Sequence, residues 1–165
     1  MLFRSIYLPL LLFSTIGFDW SKIGFLLIFM LLPFLIFEIP IGKIIDERTG
    51  EKEFLFIGFV IMAISSFTID NLHEKIFWLW ASVLFISRIG ASLVEISSES
   101  YFFKKVTDRH TSIISLFRIT QPLSFVLAPV VAILALHLTT YSGLFMILGF
   151  VSTLGLAFIP KVDTK

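Results

Sequence analysis

Long apolar runs separated by short polar connections set the pattern of this chain. The runs cover 2–18, 23–45, 54–69, 76–103, 112–137 and 141–159, and a helix needs roughly 20 such residues to cross a bilayer. The pattern predicts an all-α polytopic membrane protein, with six transmembrane helices and short loops filling a single domain over 1–165. The first run is the weakest. Ser5 to Phe18, behind Arg4 and interrupted by Pro9, makes only about 21 Å of helix at about 1.5 Å per residue. A cationic start and a short apolar core also fit a signal peptide, but no small-x-small cleavage site follows and the next run is equally apolar. The expectation is a clipped first span, or one that reaches back to Met1.

The second run contains Pro33, Glu38 and Pro40 and ends in a charged turn, Gly42 to Lys52. The third is closed by Asp70 to Lys75. The fourth finishes in Tyr101-Phe102-Phe103-Lys104-Lys105, aromatic anchors followed by cations, as at a membrane edge. The fifth holds Arg118, Gln121, Pro122 and Pro129, and Pro160-Lys161 ends the sixth.

Charge placement orients these spans. With both termini and the second and fourth loops inside, the inner cations are Arg4, Lys43, Arg48, Lys52, Lys104, Lys105, Arg109, Lys161 and Lys165, against Lys22 and Lys75 outside. Cytoplasmic loops carry the excess of Lys and Arg, so the bias predicts a cytoplasmic (inner) membrane protein with N and C termini in the cytoplasm. Trp20, Trp78 and Trp80 then fall at the external edge, where an amphipathic ring is favoured.

Composition narrows the class further. The chain is 57% hydrophobic and 15% charged, whereas soluble domains run at about 45–50% and about 25%. The lipid bilayer is the expected surrounding. The 13 basic and 12 acidic residues leave no basic patch for nucleic acid, and zero cysteines remove disulfides and thiolate chemistry.

The residues that could carry chemistry lie inside the spans. Arg88, Ser92, Glu95 and Glu99 are spaced four, three and four apart, so at about 100° per residue they share one helix face. A charge near a helix centre costs about 2.5–3.5 kcal/mol on insertion scales, so the stripe should face protein or water and be paired. Arg118 enters the next span at a similar depth to Glu95 and Glu99, and Glu38 and Gln121 complete the candidates for a pathway or a helix latch. Arg88 lies nearest the bilayer middle, facing either a cavity or a buried structural partner. Pro33 and Pro40 are seven residues apart, as are Pro122 and Pro129, in corresponding spans if the chain is two units of three helices. Paired interrupted helices are what transporters build sites from, so these prolines are expected helix breaks in a 3+3 bundle.

His73, His110 and His137 are isolated and lack metal-ligand spacing; no metal or cofactor is expected. There is no Gly-rich phosphate loop, Gly-x-Ser-x-Gly elbow or His-Glu-x-x-His, so no enzymatic activity is expected.

The segment Pro40-Ile41-Gly42-Lys43-Ile44-Ile45-Asp46, followed by Arg48, Gly50 and Lys52, resembles the loop signature of the major facilitator superfamily, Gly-x-x-x-Asp-Arg-x-Gly-Arg-Lys. In it the Gly permits close helix packing, the Asp caps or pairs, and the cations hold the loop inside. Gly50 stands four rather than three after Asp46, and Glu51 takes a place where a cation is common. Ser87 to Ser92 loosely resembles the family's Arg-x-x-x-Gly region with altered spacing, and Ala128-Pro129 stands where antiporters carry Gly-Pro, without the surrounding glycines. The run from Arg88 to Lys105 is more similar to the C-terminal than to the N-terminal half of such proteins.

The resemblance implies two six-helix halves around a central site, opened alternately by rocking. On that reading the chain is one half, a fragment or a half-size protein, whose partners are an unknown small solute and a second six-helix half. The competing expectation is a non-transporting membrane scaffold or assembly factor, in which the charged stripe only fixes helix packing.

Overall fold

The computed structural model describes the backbone of residues 2–47, 50–106, 111–137 and 139–159, and their side chains except at 2–5, 38–39, 43–47, 111–112, 121 and 142. Six helices make up nearly all of it: α1 (Leu2–Ser14), α2 (Trp20–Glu47), α3 (Glu51–Asn71), α4 (Phe77–Lys105), α5 (Thr111–Leu136) and α6 (Tyr141–Phe158). No strand occurs among the described residues. Helix is what apolar surroundings demand, because each N–H and C=O must find its partner within the segment.

Among the described residues four helices are long and apolar enough to cross a bilayer: α2 over Trp20–Gly42, α3, α4, and α5 over Ile113–Leu136. The apolar part of α6, Gly143–Phe158, is shorter, and α1 has 13 residues, about 20 Å of helix. The run expected over 2–18 ends as helix at Ser14 because Gly17 takes a positive φ of 76°. The Ile16 N–H donates to Leu11 O at 3.2 Å and the Phe18 N–H to Leu12 O at 2.9 Å, wrapping the helix end.

Two expectations need correction. The charged stretch read as a turn is mostly helix: α2 continues to Glu47 and α3 starts at Glu51, behind the N-cap Gly50. Glu51 and Glu53 occupy the first turn of α3, where carboxylates complement the positive end of the helix dipole. The four expected helix breaks, Pro33, Pro40, Pro122 and Pro129, all lie inside continuous helices. A proline removes one ladder bond, and where water is scarce the remaining bonds hold the helix together.

Helix α4 is the centre of the packing. It lies against α3 and α2, and α3 lies in turn against α6; α1 touches α2, α5 and α6, and α5 touches α6. Small residues make the tightest of these contacts. A Cβ at Gly58 of α3 would stand 2.9 Å from Gly90 O, and a Cβ at Gly90 of α4 would stand 2.9 Å from Gly58 O. Only glycine at both positions lets the two backbones meet, and in lipid such close packing drives helix association. On the far side of α3, the Phe67 and Phe59 rings sit over Gly149 and Gly155 of α6.

The end of the bundle carrying the α1–α2, α3–α4 and α5–α6 connections is closed by one apolar cluster around Trp80 of α4. Leu8, Leu12, Ile23, Leu26, Ile69 and Phe145 bring α1, α2, α3 and α6 into it. The Trp80 Nε1–H donates to Glu74 O at 2.8 Å, so the buried indole keeps its polar atom satisfied. Trp80 is therefore a core residue, not an interfacial anchor; Trp20 and Trp78 are exposed as expected of anchors.

Candidate functional site

Away from the Trp80 cluster, at the end carrying the α2–α3 and α4–α5 connections, the helices part. A cleft of about 790 Å³ opens between α4 and α5, with Met62 of α3 in its wall. Glu95, Ser98 and Glu99 line it from α4, and Arg118, Thr120 and Ser124 from α5. Glu95 and Glu99 are one helical turn apart on one face, which brings both carboxylates to the same wall. Among the described residues no ion pair joins Arg118 to either carboxylate; the three share the cleft instead. The two hydroxyls of α5 have committed their protons to the backbone: Thr120 Oγ1 donates to Phe117 O at 2.5 Å and Ser124 Oγ to Thr120 O at 2.8 Å. Each oxygen keeps acceptor capacity.

An aromatic contact closes the connected end of this cleft. Phe117 of α5 stacks on Phe102 of α4, with centroids 3.9 Å apart and an interplanar angle of 12°. Phe103 and Phe117 both line the cleft, so its walls have apolar faces beside the charges.

The rest of the predicted stripe separates from the cleft. Ser92 is fully buried and donates its Oγ to Ile89 O of its own helix at 2.9 Å. Arg88 is half-buried between α4 and α2, its guanidinium 5.0 Å from the centroid of the Phe34 ring, a cation–π distance. The Glu95 charge acts on it along the same helix face. Spacing put Arg88, Ser92, Glu95 and Glu99 on one face; the neighbouring helices divide that face among three environments.

The loop motif is only partly in view. The side chains of Glu38, Asp46 and Gln121, and the whole of Arg48, lie outside the described residues. Gly42 has open space where a Cβ would stand, so the close helix approach expected of it is made by Gly58 and Gly90. Gly50 has a φ of −67°, which any residue adopts, and Lys52 is half-buried one residue beyond Glu51.

One pair was not anticipated from sequence. Glu51 Oε1 stands 2.7 Å from Lys104 Nζ, tying the first turn of α3 to the last turn of α4 beside the cleft. Glu51 is buried and Lys104 half-exposed. The available signal was a carboxylate at a helix start and a lysine at a helix end, each at the dipole end that favours it. Among the described residues no three His, Asp or Glu groups come together as metal ligands, and His73 and His137 are both exposed; His110 lies outside the described residues.

The cleft thus carries both signs of charge within apolar helices. No curated protein and no solved structure matches the chain. The sequence profile of the Major Facilitator Superfamily matches it over residues 1–165, and the chain belongs to that superfamily.

Proposed function

We propose that the chain is one six-helix half of a secondary active transporter of the major facilitator type, moving a small solute by alternating access against a second six-helix half. The half is two units of three helices. The observation that carries this reading is the superfamily match over residues 1–165, and the helix partnerships bear on the repeat. Exchanging α1, α2 and α3 for α4, α5 and α6 turns the α2–α4 contact into α5–α1, the α3–α4 contact into α6–α1, and the α3–α6 contact into itself. These pairs support a repeat, although the α1–α2 and α5–α6 contacts have no counterpart of equal extent in α4–α5 and α2–α3. The mixed-charge cleft supports the transport reading over the scaffold reading, which calls for a sealed stripe.

The second half covers apolar surface that this chain leaves open. Large side chains such as Leu35 of α2 and Val126 of α5 are more than half exposed. The C-terminal position of this half rests on the resemblance of the run from Arg88 to Lys105, and the inner membrane with cytoplasmic termini rests on the cation bias. The test is uptake into vesicles made from cells producing the protein together with its second half, screened with a labelled solute library. Saturable uptake that is lost with Glu95→Gln supports the proposal. Uptake indistinguishable from control vesicles for every solute tested removes it.

A further inference from the structure

We infer that the α4–α5 cleft binds a zwitterion, a solute carrying an ammonium and a carboxylate like a free amino acid. The inference rests on the transport reading and names its solute class. Acceptors dominate the walls: the Glu95 and Glu99 carboxylates on α4, and the Thr120 and Ser124 hydroxyl oxygens, whose protons are already given to backbone carbonyls. That set matches an ammonium, which has only donors to offer. Arg118 on the opposite wall is the complementary element, a planar donor fork that suits a carboxylate.

Matching both walls favours a zwitterion over the simpler ligands. A lone anion would meet two carboxylates for one guanidinium. A lone cation would pair with the glutamates and offer nothing to the donor fork of Arg118. A zwitterion satisfies both walls and leaves the net charge of the cleft unchanged. Phe103 and Phe117 in the wall offer apolar contact to a side chain, which points to amino acids with apolar side chains. At about 790 Å³ the cleft lies within the usual range of small-molecule sites, roughly 300–1,000 Å³.

The test uses the full chain in detergent and reads thermal stabilisation by leucine, methionine and phenylalanine, by the matching amines, and by the matching carboxylic acids without the amino group. The expected result is that at least one amino acid stabilises the protein, while its amine and its acid bind about tenfold more weakly. Arg118→Gln should bring the amino acid down to the level of its amine, and Glu99→Gln should weaken both. Arg118→Lys and Glu99→Asp retain the charges and serve if the neutral variants do not fold. No stabilisation by any of the amino acids overturns the inference, as does an amine or an acid that binds as tightly as its amino acid. Uptake measured in parallel separates the two readings. An amino acid that binds without being carried counts against transport and leaves the site; uptake of another solute with no amino acid binding does the reverse.

Discussion

Gly58 of α3 and Gly90 of α4 meet backbone to backbone, each leaving no room for a Cβ because the other's carbonyl oxygen would lie 2.9 Å away. This crossing, together with buried Ser87, Ala91 and Ser92, holds the central pair of helices at close range. Gly90→Ala should therefore destabilise the protein by about 1–3 kcal/mol, the range for overpacking a well-filled contact. Gly42→Ala is the control: its Cβ meets open space, and an Ala in a helix is favoured over Gly by about 0.5–1 kcal/mol. Thermal unfolding of the two variants in detergent should move in opposite directions, and equal shifts would contradict the crossing.

The Glu51–Lys104 pair is expected to matter more than a surface salt bridge, because the carboxylate is buried while only the lysine reaches solvent. Lys104→Ala leaves a buried carboxylate without this partner and should cost about 1.5–3 kcal/mol, the range for hydrogen bonds to charged groups. Glu51→Gln, which removes the charge along with the pair, should cost less. The comparison is again of unfolding midpoints, and a milder effect for Lys104→Ala than for Glu51→Gln would reverse the argument.

The two kinds of prediction differ in how visible they were beforehand. The all-helical, membrane-embedded character was legible because bilayer thickness writes itself into the length of each apolar run. The expected orientation rests on the cation bias, a property of loops and not of packing. What stayed hidden depends on neighbours. Trp80 and Trp78 are two residues apart and look alike as interfacial anchors, yet the helix turn sends one into the core and the other outward. The spacing of Arg88, Ser92, Glu95 and Glu99 gave their common face, but not that α2 would take Arg88 and α5 would open beside Glu95 and Glu99. Glu51 was read as a departure from a motif, because a contact between the ends of α3 and α4 has no local signature.

The tryptophans supply their own test. Trp80→Ala removes a fully buried indole from the cluster that joins α1, α2, α3, α4 and α6, and a cost of about 3–5 kcal/mol is expected. Trp78→Ala should change stability by less than about 0.5 kcal/mol, as surface substitutions do, while weakening attachment at the membrane edge. Unfolding midpoints in detergent separate them, since detergent replaces the interface that Trp78 would hold. Comparable losses at the two positions would place the cluster elsewhere.

Orientation is the last expectation open to direct measurement, and the absence of native cysteine makes it a clean one. Single cysteines introduced at Lys75 and at Lys52 sit at opposite ends of α3, the first on the α3–α4 connection and the second in the first turn of α3. In intact cells a membrane-impermeant maleimide should label Lys75→Cys and leave Lys52→Cys unlabelled until the membrane is permeabilised. The physical basis is the cost of translocating the cluster of lysines and arginines on the Lys52 side, against the single lysine on the α3–α4 connection. Labelling in the opposite sense would invert the topology. The α4–α5 cleft, which lies in the same half of the bundle as the Glu51–Lys104 pair, would then belong to the outer half.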